Sequence, residues 1–191
     1  MTERLHVLTA IYQSDRADRS STLTVSLATM GAAVTYLVGT IAFYDKLDLL
    51  GWAISLLPFP LICVLAFQAQ MVNLAGVRAR SILILEKALL DAVEPAGGPG
   101  LDRSLLGVTA SERASNPHTS SPWHRAATLI AYAGVGLIDV LYVVLMLIKA
   151  AGHLSAWVAV PAAVYGMLLV LVALAWHRSV TNLDFSTVTV P

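Results

Sequence analysis

Four long apolar runs constrain this chain more than anything else in it: Leu23 to Tyr44, Leu50 to Gly76, Ala126 to Lys149 and Ser155 to Trp176. Each reaches the roughly 20 residues that a helix needs to cross a hydrocarbon layer about 30 Å thick. Such a layer holds no water to satisfy backbone N–H and C=O groups, so each run is expected to be helical. Composition points the same way, since 57% of residues are hydrophobic and only 13% are charged, against about 25% charged in a soluble domain. The expected fold class is an all-α integral membrane protein with four transmembrane helices in two hairpins. The residues before the first run carry charge of both signs and no cleavage-site pattern follows it. That run is therefore expected to be a mature helix and not a removed signal peptide.

Tryptophan and charge placement give the expected orientation. Trp52 and Trp157 begin their runs, Trp176 ends one and Trp123 precedes another, which suits indole rings at headgroup level. Of the 12 lysines and arginines, only Lys46, between the first and second runs, and Lys149, at the end of the third run beside the turn to the fourth, lie on the opposite side. The others lie in the N-terminal arm, the central segment and the tail. By the positive-inside rule these three parts are cytoplasmic, which places the chain in the cell membrane as a multi-pass protein with both termini inside. Nine arginines against three lysines, with abundant Ala, Val and Gly, fit a bacterial genome rich in G and C.

The chain divides accordingly. Residues 1–20 are expected to form a cytoplasmic amphipathic helix, with Leu5, Leu8, Ile11 and Tyr12 at helical spacing. Residues 21–93 hold the first hairpin and a cytoplasmic extension of its second span, where Ile82, Leu85, Leu89 and Val93 repeat that spacing. Leu85 and Leu89 are therefore candidate assembly residues. Residues 94–122, dense in Gly, Pro and Ser, read as a flexible cytoplasmic linker. Residues 123–178 hold the second hairpin, and 179–191 form a cytoplasmic tail. The "DRADR" run reads as support on a helix surface through its Asp15 and Arg19, four residues apart.

Familiar catalytic and nucleotide-binding motifs are absent, among them the phosphate loop, H-E-x-x-H, G-x-S-x-G and the dinucleotide fingerprint. The single cysteine, Cys63, rules out a disulfide framework. His118 and His124, six apart in the linker region, make a poor metal site. No enzyme activity, cofactor, metal or nucleic-acid partner is expected. Small residues recur three or four apart in two runs, at Gly31, Thr35 and Gly39 and at Ala159, Ala162 and Gly166. Such stripes let membrane helices approach closely, within a chain or between copies.

One acid interrupts the third run. Arg125 lies 14 residues before Asp139 and Lys149 lies 10 after, which puts the carboxyl about 21 and 15 Å from the two ends at about 1.5 Å per residue. An acid at that depth costs about 2.5 to 3.5 kcal/mol on insertion scales, against a gain of about 0.3 to 0.6 for each Leu, Ile or Val. Twelve of the latter between Leu129 and Ile148 more than offset it. Tyr132, Gly136, Asp139, Tyr142, Val143 and Met146 share one helical face, expected to point away from lipid. Thr35, Tyr36 and Tyr165 lie at matching depth and are candidate hydrogen-bond partners for the carboxyl. Gln68, Gln70 and Asn73 stand in the inner third of the second run and are candidates to line a watery passage.

Two functional readings follow. Intramembrane acids mark ion and proton paths, and four slim helices rarely enclose a passage alone. One expectation is therefore an oligomeric channel or pore subunit, a homo-oligomer conducting protons or cations past Asp139. The other is a non-conducting anchor or scaffold whose cytoplasmic helices recruit a soluble cytoplasmic protein.

Overall fold

The computed structural model describes residues 2–93 and 122–181, and these are almost wholly helical. The expected linker over 94–122 and tail over 179–191 fall largely outside the described residues. Four helices follow in order: α1, Thr2–Ala42; α2, Pro58–Val93; α3, Pro122–Leu154; and α4, Ala159–Thr181. A 3-10 segment, Tyr44–Leu56, joins α1 to α2, and a shorter one, Ser155–Val158, joins α3 to α4. Three helical stretches are long and apolar enough to cross a membrane: His6–Ala42, Pro58–Glu86 and Leu129–Ser179.

Element boundaries differ from the sequence reading in three places. No break separates residues 1–20 from the first apolar run, because α1 is continuous for 41 residues. The second helix starts at Pro58 and not at Leu50. Gly51 takes φ 55, a left-handed conformation that ends regular winding. Pro58 then suits the first helical position, where an N–H would have no partner anyway. The fourth helix starts at Ala159, after Ser155 takes φ 50 and turns the chain.

Cross-helix hydrogen bonds show how the helices lie. Tyr36 on α1 reaches the carbonyl of Leu57, Ser26 meets Gln68, Arg78 meets Thr22, and Tyr12 meets Glu86. Partner numbers fall along α1 as they rise along α2, so this pair is antiparallel. Tyr165 bonds the carbonyl of Ser55 and Ser179 bonds that of Ala69, so α2 and α4 run in the same sense. Helix α2 is central, since 33% of its most apolar stretch is buried and none of that of α1.

The tightest packing gathers at the end where the 3-10 segment folds back. Leu47 and Ile54 from that segment bury against Leu61 of α2 and against Tyr142, Met146 and Ala150 of α3. A second cluster joins Ile62, Val143 and Tyr165 across α2, α3 and α4. Asp48 closes this end by accepting a 2.7 Å hydrogen bond from Lys149, with His153 at 3.4 Å and the Lys149 ammonium 4.7 Å from the Tyr44 ring centre. The Lys149 hydrogen bond holds the Asp48 carboxyl below its ordinary range.

Candidate functional site

Helix α3 passes from open to packed at Asp139. Ile130 and Leu137 are mostly exposed, whereas Tyr142, Val143 and Met146 are almost fully buried. Asp139 is itself only 6% exposed. Among the described residues its carboxyl has no hydrogen-bond or ion-pair partner.

The three expected partners are all engaged elsewhere. The Tyr36 hydroxyl donates to the Leu57 carbonyl at 2.9 Å, Tyr165 donates to the Ser55 carbonyl at 2.6 Å, and Thr35 donates to the Gly31 carbonyl at 2.9 Å. Both carbonyls that accept from the tyrosines belong to the turn between α1 and α2, where buried backbone groups must be satisfied. The two tyrosines serve that need. Tyr142, expected beside the acid on the same face, donates to Thr40 of α1 at 2.9 Å. The side chain of Tyr132 is not among those described.

Of the three inner polar residues of α2, Gln68 stands apart from Gln70 and Asn73, which are three apart on one helical face. Gln68 is buried and clasps α1, accepting from Ser26 Oγ at 2.5 Å and donating to the Ser26 carbonyl at 2.9 Å. Gln70 is exposed on another face and Asn73 is half-buried. Two residues along a helix is a rotation of about 200°, which separates Gln68 from Gln70.

Between the helices lies a cavity of about 790 Å³. Its walls include Met30 of α1, Leu65 and Val72 of α2, Gly136 and Val140 of α3, and Leu169 of α4. Polar groups are few there. Ser26 and Gln68 are already paired with each other, and His177 stands beside Trp176. Asp139 lies on α3 between the lining residues Gly136 and Val140, though it is not itself one of the residues that line the cavity.

The small-residue stripes face outward in the single chain. A Cβ placed on Gly31, Gly39 or Gly166 would meet nothing within 4 Å, and Thr35, Ala159 and Ala162 are exposed. Beyond the apolar stretch, α1 and α2 are joined by polar contacts. Tyr12 and Arg16 both reach Glu86 Oε1, at 3.0 and 3.2 Å, and Ser81 donates to Asp15 at 2.7 Å. Arg78 donates to the Asp18 carbonyl and to Thr22 at 2.9 and 2.6 Å. Asp15, Arg16 and Asp18 of the "DRADR" run thus bind the neighbouring helix, and the side chain of Arg19 is not among those described. Opposite charges on two helices of matched length were the available signal. Leu85 and Leu89 are half-buried in this region, and Ile82 beside them is fully buried.

Among the described residues no three His, Cys, Asp or Glu side chains gather as metal ligands. The chain matches no protein-family model, no curated protein and no solved structure.

Proposed function

We propose that this protein is a channel subunit of the cell membrane that moves protons or cations past Asp139 and works as a homo-oligomer. In this reading the chain crosses the bilayer four times as two hairpins, with both termini and the α1–α2 extension in the cytoplasm. The 51-residue stretch Leu129–Ser179 supplies two crossings, because it contains the turn at Ser155. The parallel run of α2 and α4 fits that topology.

One observation carries the reading: a carboxyl midway along a long apolar helix that is 6% exposed and lacks a partner among the described residues. An unpaired charge in apolar surroundings is costly, so a proton or a passing cation satisfies it. This also changes where the path runs. Because Asp139 sits among helices of one chain, the path follows the interior of each protomer, and the open stripes on α1 and α4 serve contact between copies. Apolar passages gate by wetting and drying, which suits the lining of the cavity below the acid.

The test is flux in reconstituted vesicles. Wild-type protein should pass protons or cations, and Asp139→Asn, which keeps shape but cannot ionise, should fold and assemble yet lose most of that flux. No flux from wild-type protein across a range of voltage and pH rejects the reading.

The alternative, a non-conducting anchor for a cytoplasmic protein, is favoured by the polar joining of α1 to α2 around Glu86 and Arg78. That stitching makes a stiff platform beyond the apolar stretch. Its support would be a monomer or dimer that passes no ions.

A further inference from the structure

The cavity and the acid have a joint chemistry that ion passage alone does not use. The cavity, at about 790 Å³, falls within the roughly 300 to 1,000 Å³ typical of small-molecule sites. Its lining is nearly all aliphatic, and apolar cavities of that kind stay free of ordered water. Its occupant is therefore apolar over most of its surface. A neutral occupant would leave the acid unanswered. Asp139 lies between the lining residues Gly136 and Val140, behind the wall they form, more than nine-tenths buried and without a partner among the described residues. Among the described lining residues the only titratable side chain is His177, which sits beside Trp176 and 38 positions along the chain from Asp139.

We propose that this cavity binds a hydrophobic cation, its apolar body against the lining and its positive charge drawn to Asp139. Delocalised cations fit best, because a spread charge loses less hydration on leaving water. The inference uses the same acid as the channel reading but does not depend on conduction.

The experiment measures equilibrium binding of tetraphenylphosphonium to purified protein in detergent, beside its uncharged analogue tetraphenylmethane. Wild-type protein should bind the phosphonium saturably and at least about tenfold more tightly than the neutral probe, a difference of about 1.4 kcal/mol. Asp139→Asn should weaken phosphonium binding by about tenfold and leave neutral binding unchanged. Asp139→Glu, which keeps the charge, should retain it. Gly136→Phe should weaken both probes, because a side chain there meets open space and fills the cavity while the acid remains. Equal binding of the two probes, or Asn binding as well as Asp, overturns the proposal and leaves a lipid acyl chain as the occupant. Charge-dependent binding by a protein that passes no ions would uphold this inference while rejecting the channel.

Discussion

The two halves of α3 are comparably apolar and meet two environments. From Leu129 to Ile138 the large side chains stand mostly outside, with Ile130 at 70% and Leu137 at 59% exposure. From Tyr142 to Ala150 one face is sealed, with Met146 and Ala150 at 0%. Both halves are rich in Leu, Ile and Val, so hydrophobicity does not separate them. What differs is the neighbour. The second half meets the 3-10 segment, whose Leu47 and Ile54 fill the space between helices, while the first half borders the cavity. Asp139 marks the border, and the contrast shows that an irregular turn can anchor a helix more firmly than a second helix beside it.

The largest expected effect breaks the packed half. Met146→Ala should cost about 2 to 5 kcal/mol through the void it leaves, whereas Leu137→Ala should stay within about 0.5 kcal/mol as a surface change does. Unfolding in mixed detergent micelles, followed by circular dichroism, measures both. Equal costs would mean that the two halves are packed alike.

A smaller effect, of opposite sign, is expected at the border itself. If the carboxyl is buried without a partner, Asp139→Leu removes an unmet polar group and should stabilise the fold by about 1 to 3 kcal/mol. Loss of stability would reveal a partner and turn the acid into a structural bond. Flux and phosphonium binding should both disappear in this variant even as stability rises.

The smallest effect concerns the clasp beyond the packed half. The Asp48 carboxyl is held below its usual range by Lys149, so its folded value lies under its unfolded one. The contribution is present above the unfolded value, near about 3.9, and is lost as pH falls through the lower, folded one. Carboxyl carbon shifts from NMR should show Asp48 titrating below an ordinary aspartate. In Lys149→Met the midpoint should return to the ordinary value, and a midpoint unchanged by that substitution would remove Lys149 as the cause.

Much of the helical outline was legible because it depends on run length and period, both local properties. The face shared by Asp139, Tyr142, Val143 and Met146 is the one the structure buries. The start of the second helix was less legible, because residues 50 to 57 are as apolar as the helix that follows. Only Gly51 and Pro58 signal the change there. The partners of Tyr36 and Tyr165 could not be read at all. Each bonds a backbone carbonyl of the turn, and which carbonyls a turn leaves unmet depends on its three-dimensional path. Gln68 illustrates a subtler loss, since its clasp on Ser26 of α1 depends on which helix lies opposite, which spacing along α2 does not give.

The unbroken length of α1 has a mechanical consequence. At about 1.5 Å per residue its 41 residues span about 60 Å, twice a hydrocarbon layer of about 30 Å. A rod of that length seated in a bilayer is a lever with arms of similar reach. Tyr12, Arg16 and Arg78 tie it to α2 in the arm beyond the apolar stretch, so a tilt of one helix would have to carry the other. Under the proposed four-span reading, a rod pivoting in the bilayer would carry a sideways push at the charged tip into an opposite shift at Thr40, where the Tyr142 hydroxyl is held, three residues from the acid.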